Sequence, residues 1–357
     1  MAAAATRPRS LKIVPVPHPS ALLGLAPLPE GGVAVVYTEG RRGRPMVWSG
    51  AERGDRFVDC LEVLALDAAS AARWMVESDG MGCDLPGAVA ACAGGVVVTG
   101  VVPGVGDRPE LWLAKVADDG AAPWSETYGQ LDGYESRVAA LSDGFAMVGQ
   151  GLNTQRVVRT DAAGRVVWQR EDELVTLALA AGALGRLWLA STSRGVLLGG
   201  GLTVELVERD GTSVSKLRVP AASLQATLLA VPREGGGVLF AVPSGMAAPA
   251  ELIAITAEGK LGWRSPIPAG ERLKLCGLAE LADGRIVCGS DHGWLVLEPP
   301  RQVGRATITH RGTTPAHARH LVVSAGDVVV AGHHPHGERK DFWILRDTID
   351  GAGCRPW

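Results

Sequence analysis

Apolar residues fall in runs of three or four, each opened by a glycine turn and often closed by another glycine. The runs are Gly31-Gly32-Val-Ala-Val-Val, Gly94-Gly95-Val-Val-Val-Thr-Gly, Asp143-Gly144-Phe-Ala-Met-Val-Gly, Gly185-Arg-Leu-Trp-Leu-Ala, Gly236-Gly237-Val-Leu-Phe-Ala, Asp283-Gly284-Arg-Ile-Val-Cys-Gly and Gly326-Asp327-Val-Val-Val-Ala-Gly. Runs this short, bounded by turn residues, predict buried strands rather than helices. The markers Gly32, Gly95, Gly144, Gly185, Gly237, Gly284 and Gly326 are 63, 49, 41, 52, 47 and 42 residues apart, a mean of 49. Repeats of roughly 40–50 residues that hold several short strands are the signature of propeller blades. The expected fold is all-β, a seven-bladed β-propeller forming a single domain.

Each unit fits four strands, a to d. Strand a precedes the glycine turn, as in Ser136-Arg-Val-Ala-Ala-Leu, and strand b follows it. Strand c alternates or is aromatic, as in Leu111-Trp-Leu-Ala-Lys-Val and Val204-Glu-Leu-Val-Glu. The c–d turns are Asp119-Gly120, Ala163-Gly164, Asp210-Gly211 and Glu258-Gly259, X-Gly pairs in which glycine accepts positive φ. Strand d carries Trp74, Trp124, Trp168 and Trp263, a recurrence that predicts packing between blades. The blades are expected at 20–80, 81–130, 131–173, 174–220, 221–269, 270–312 and 313–357. The seventh has only the tail Ala352 to Trp357 for strand d, whereas Leu11 to Val16 in segment 1–19 is a spare strand. The N-terminal strand is therefore expected to complete the last blade beside its strand c, closing the ring and hiding its edges.

The stretch Glu110-Leu-Trp-Leu-Ala-Lys-Val-Ala-Asp-Asp-Gly-Ala-Ala-Pro-Trp-Ser-Glu-Thr-Tyr-Gly129 resembles the repeat of a bacterial β-propeller family, with the pattern D-x-W-L-x-K-x-D-x-x-G-x-x-x-W-x-x-x-Y-G, among propellers of the PQQ and WD40-like kind. Asp341-Phe-Trp-Ile-Leu-Arg-Asp-Thr-Ile-Asp-Gly351 resembles a truncated second copy. The resemblance implies the fold. It implies no active site, because the matching residues are turn and packing positions, and a shared propeller fold carries many functions.

Composition agrees with this picture. Glycine and proline number 47 and 22, and 46% of the chain is hydrophobic, enough for a sizeable core. A net charge of −3 argues against a general polyanion binder. Arg-over-Lys and Ala-rich usage suits a GC-rich bacterial coding sequence. The uncharged stretch Leu85 to Gly106 is long enough to span a bilayer, but Pro86, Gly94-Gly95 and Pro103 make it two strands around a turn. No signal-peptide order opens the chain, so no membrane is expected. Cys60, Cys83, Cys92, Cys276, Cys288 and Cys354 show no C-x-x-C spacing, and four sit in apolar runs; a reducing, cytoplasmic setting is expected.

Phosphate-loop, dinucleotide, zincin and nucleophile-elbow motifs are absent from the sequence. The run Gly289-Ser-Asp-His-Gly293 holds the residue types of a hydrolase triad, but adjacent residues cannot line up as nucleophile, base and orienter. Six of the eight histidines lie between His310 and His336. His333, His334 and His336 fall in the b–c loop of unit seven and His292 in that of unit six. His310 and His317 are expected on the connection into unit seven, with His18 on that into unit one and His320 inside strand a. In a propeller these loops open on one face, and imidazoles gathered there are ligands for zinc, copper or iron. The long first interval places a loop at Gly40 to Phe57 with Arg41, Arg42, Arg44 and Trp48 on the same face, a segment suited to recognition. Acidic residues interleave with these arginines, which argues against nucleic acid. The starts of the inner strands offer Glu135, Arg137, Thr176, Gln225, His317 and Arg319 at the channel mouth. Sugar binding would call on Tyr37, Trp48 and Tyr134.

Two functions stay open on this pattern. One is a binding or scaffold module that takes a protein partner or small ligand on its His- and Arg-rich face, with Arg41, Arg42, Arg44, Trp48, Glu135, Arg137 and Arg319 as contact residues. The other is a metal-dependent enzyme or metal-binding protein whose ligands come from His292, His317, His333, His334 and His336.

Overall fold

The computed structural model describes residues 10–14, 21–42, 57–77, 85–104, 108–131, 133, 135–151, 155–193, 201–220, 228–243, 249–268, 273–300, 305–315, 317–336 and 339–349. Among them, twenty-eight strands form seven four-stranded antiparallel sheets arranged as a seven-bladed β-propeller. The only helical pieces described are the single 3₁₀ turns Pro29–Gly31 and Ala183–Gly185.

The N-terminal strand is β1 (Ser10–Val14). Blade one is β2 (Leu22–Pro27), β3 (Val33–Arg42), β4 (Phe57–Leu66) and β5 (Ala72–Glu77). Blade two is β6 (Leu85–Cys92), β7 (Gly95–Pro103), β8 (Pro109–Ala117) and β9 (Trp124–Gln130). Blade three is β10 (Glu135–Leu141), β11 (Gly144–Gln150), β12 (Gln155–Asp161) and β13 (Val166–Asp172). Blade four is β14 (Leu174–Ala181), β15 (Leu187–Ser193), β16 (Leu202–Val207) and β17 (Ser213–Val219). Blade five is β18 (Leu229–Pro232), β19 (Val238–Val242), β20 (Glu251–Ile255) and β21 (Leu261–Pro266). Blade six is β22 (Leu275–Glu280), β23 (Ile286–Ser290), β24 (Gly293–Glu298) and β25 (Thr307–Thr313). Blade seven is β26 (Ala318–Ser324), β27 (Asp327–His336) and β28 (Arg339–Thr348), with β1 hydrogen-bonded beside β28 as its fourth strand.

The chain divides into two compact units. One, Val14–Glu173 with His334–Phe342, holds the first three blades. The other, Met1–Ile13 with Leu174–His333 and Trp343–Trp357, holds the next three and most of the seventh.

Burial grades along each blade as the patterns require. The b strands are apolar on both faces because sheets cover both: β19 and β23 are buried at every position. The d strands lie outermost and alternate, as in β5 and β13. In the first unit Val36 and Val63 pack with Val96, Val98 and Trp112 of the next blade. The apolar stretch from Leu85 is indeed two strands, β6 and β7, around Gly94. In the first two blades a strand-d aromatic locks onto the next blade's c–d turn. Trp74 Nε1–H donates to the Asp118 carbonyl at 2.6 Å, and Tyr128 O–H donates to the Gly164 carbonyl at 2.7 Å. Those turns are held by aspartate: Asp161 Oδ1 accepts the backbone N–H of Ala163 and Arg165, which keeps its carboxyl below the usual range. The most deeply buried tryptophans sit elsewhere, on b and c strands: Trp188, Trp294 and Trp343.

Burial also silences Cys288 on β23. Its thiol is pushed up to about 12, burial being the main cause and neighbouring Cys276 adding to it. At pH 8 roughly one thiol in 10⁴ is then thiolate, against about a quarter for a free cysteine. Peptide-resolved alkylation with iodoacetamide at pH 8 is expected to leave Cys288 unmodified in the native protein and to label it fully in denaturant. Native labelling at the rate of a free thiol would contradict this environment.

Candidate functional site

In five of the seven blades the first strand slips register by one residue against the second: between Leu22 and Gly24, Pro86 and Ala88, Thr176 and Ala178, Leu275 and Gly277, and Ala318 and His320. A bulge of this kind re-aims the extra side chain. In blades six and seven the extra residues are Cys276 and Arg319, and both line one pocket of about 240 Å³. Lys274, Asp291 and His317 line it as well, with Leu275 and Ala318 as its apolar part.

The pocket lies where two blades close on each other. Gly277 permits the approach: a Cβ there would stand 2.5 Å from Leu321 Cβ and 2.6 Å from the Leu321 carbonyl oxygen. The other wall is the β23–β24 hairpin. Ser290 pairs with Gly293, so Asp291 and His292 are the two residues of a tight turn. Three backbone hydrogen bonds clamp that turn. Asp291 N–H donates to the Lys274 carbonyl at 3.1 Å, Ala318 N–H donates to the Asp291 carbonyl at 3.0 Å, and Thr314 N–H donates to the His292 carbonyl at 3.3 Å. The bond from Ala318 sets His317 beside the turn. The rings of His292 and His317 have centroids 5.7 Å apart, tilted by 47°. His292 Nε2 lies 3.7 Å from Asp291 Oδ2, and Asp291 Oδ1 is buried without a hydrogen-bond partner. Burial, with the Asp291 charge nearby, pushes the Cys276 thiol up to about 12, so it is a neutral wall rather than a nucleophile.

The histidines expected together are partly so placed. His292 and His317 meet, as described. His333, His334 and His336 lie on β27 rather than in a loop, because blade seven's b and c strands run to ten residues each. The His333 carbonyl accepts Trp343 Nε1–H at 3.3 Å, and the side chains of His334 and His336 lie outside the described residues. His310 is not on the connection into blade seven. It sits in β25 opposite Val296, since strand d of blade six runs to Thr313. His320 is within β26 as expected. Arg41 and Arg42 are not loop residues either: they pair with Val58 and Phe57 in an extended β3–β4 ladder. Arg44, Trp48, Tyr134, His18 and Gln225 lie outside the described residues. Thr176 is fully buried, its Oγ1 3.0 Å from Ser191 Oγ, and does not line a mouth. Tyr37 is buried too, meeting the Phe342 ring edge-on at 5.3 Å, so it offers no exposed aromatic for a sugar. Glu135 and Arg137 open β10, 3.9 Å apart, and burial draws the Arg137 guanidinium below its ordinary value. Asp291, Lys274 and Cys276 were not among the expected contact or ligand residues.

No helix among the described residues is long and apolar enough to cross a membrane. No protein-family profile matches the sequence, and no curated protein matches it. Many solved structures share the fold. The chain is similar to hydrazine synthase of Kuenenia stuttgartiensis, at 12% identity over 87% of this chain and 92% of that one, with a TM-score of 0.59. It is similar to the Pan2 WD40 domain of Neurospora crassa, at 10% identity over 92% and 89%, with a TM-score of 0.56. It is also similar to YCF48 bound to a D1 peptide, at 13% identity over 98% and 97%, with a TM-score of 0.51. Identities this low show the fold and no more.

Proposed function

We propose that this propeller is a binding module that takes an acidic segment of a partner protein into the pocket between blades six and seven. The observation that carries this is the pair of cations at the pocket. Arg319 is aimed there by a β-bulge and Lys274 lines the same pocket, against the single carboxylate of Asp291. Leu275 and Ala318 supply apolar surface for the methylenes of a Glu or Asp side chain. A fork-shaped guanidinium suits a carboxylate, and the strand fixes the backbone from which it projects. A binding role is in keeping with the YCF48 neighbour, which is a propeller bound to a peptide. The lack of C-x-x-C spacing among the six cysteines and the apolar burial of Cys288 fit the reducing, cytoplasmic setting we assign to this module.

Selection from a displayed random peptide library, run in the presence of a chelator, tests the proposal. Enriched peptides are expected to be acidic, to bind more weakly as salt rises, and to lose about tenfold or more in affinity to Arg319→Glu, a change of about 1.4 kcal/mol or more. Peptides without acidic enrichment, or equal affinity for Arg319→Glu and Lys274→Glu, would refute it.

A further inference from the structure

We propose that Asp291, His292 and His317 hold a single transition-metal dication of the zinc class. Each offers one ligand atom, and these atoms all lie within 4.8 Å of one another. Zinc with nitrogen and oxygen ligands at about 2.0–2.2 Å needs its donors about 3.3 Å apart at tetrahedral angles. Asp291 Oδ2 and His292 Nε2 are already at 3.7 Å. The rest is rotation of two exposed imidazoles, which turns no backbone bond: the His292 side chain is 78% exposed.

The backbone makes the site a built one. Asp291 and His292 occupy a two-residue turn that cannot widen without breaking the Ser290–Gly293 pair. Ala318 N–H is tied to the Asp291 carbonyl, so the third ligand is fixed one residue from the first ligand's own backbone. Asp291 Oδ1 is the second, independent sign. It is buried and accepts no hydrogen bond, a condition that costs free energy unless a positive centre meets the carboxylate. Two imidazoles and one carboxylate are a donor set for zinc, and three protein ligands leave a coordination position for water. Lys274 and Arg319 line the same pocket and oppose a dication there. Their charge sets the expected affinity below that of a closed structural zinc site.

The experiment uses untagged full-length protein stripped with a chelator and titrated with Zn²⁺ by calorimetry, and with Co²⁺ by visible absorption. One ion per chain is expected, with Co²⁺ giving the intense visible bands of a four-coordinate site. His292→Ala, His317→Ala and Asp291→Ala should each weaken Zn²⁺ by at least about tenfold, with circular dichroism and the denaturation midpoint showing that the fold persists. Absence of Zn²⁺ binding below millimolar concentrations would overturn the site. So would binding that survives all three substitutions and disappears in His334→Ala or His336→Ala. Because the peptide selection is run in chelator, either proposal can fail without the other.

Discussion

Trp188→Ala is expected to destabilise the protein by about 3–5 kcal/mol, the loss typical of emptying a buried aromatic site. The indole is 1% exposed. It lies on β15 in a cluster with Ala178, Leu206, Val238, Phe240 and Ile255, and so cements blade four to blade five. Its Nε1–H also donates to the Gly236 carbonyl at 3.2 Å, in the turn that opens β19. The neighbouring strands are fixed by their ladders and cannot collapse into the space left behind, so the cavity cost adds to the lost transfer energy. Trp188→Phe separates the two contributions: it keeps most of the apolar volume and removes the donor, for about 1 kcal/mol from the hydrogen bond plus a smaller packing loss. Equilibrium unfolding in urea measures both. A cost below about 1 kcal/mol for Trp188→Ala would mean that the interface between these blades is not held by this side chain.

The same interface shows what could be read from residues alone. The seven blades were legible because each b strand is a short apolar run opened by a glycine turn, and only a strand covered on both faces needs that pattern. Closure by the N-terminal strand was legible as well: an unpaired strand at one end and a blade one strand short at the other have one economical solution, and β1 lies beside β28. The role of Trp74 in blade contact followed from its recurrence, yet Trp188, Trp294 and Trp343, on b and c strands, carry the deeper burial.

The pocket was harder to foresee. Its shape depends on one-residue register slips, and a bulge leaves no mark in composition when the extra residue is Cys276 or Arg319. Asp291 was visible only as part of a triad that adjacency forbids. Its importance comes from pairing: Ser290 opposite Gly293 makes Asp291-His292 a hairpin tip, and only the bond to Ala318 brings that tip to His317. Arg41 and Arg42 lie in a ladder rather than a loop for the converse reason. A long interval between glycines can lengthen a hairpin as readily as a loop, and polar residues in an extended ladder look like loop residues in sequence.

Arg233→Ala is expected to cost about 2–4 kcal/mol, and the cost arises across the boundary between blades five and six. Arg233, in the turn between β18 and β19, reaches Glu280 on β22 with a two-pronged grip: Nε lies 3.0 and 3.1 Å from the two carboxylate oxygens, and the terminal nitrogen 2.7 Å from Oε1. The guanidinium carbon also lies 5.8 Å from the centroid of the Trp263 ring. Glu280 is 7% exposed at its side chain, so truncating the arginine strands a carboxylate that water barely reaches. Breaking one side of a buried pair typically costs about 3–5 kcal/mol. The arginine itself is 25% exposed, and solvent screening lowers the figure. Arg233→Lys is expected to recover only part of the loss, because an ammonium cannot make the fork. The double variant Arg233→Met with Glu280→Leu, which removes both charges and keeps apolar volume, is expected to be more stable than Arg233→Ala alone. A double-mutant cycle should therefore give a coupling of about 1–3 kcal/mol, little changed between low and high salt, since a shielded pair sits inside the reach of counter-ions only at its exposed edge. Additive single and double variants would mean that the two blades are joined by their apolar faces alone.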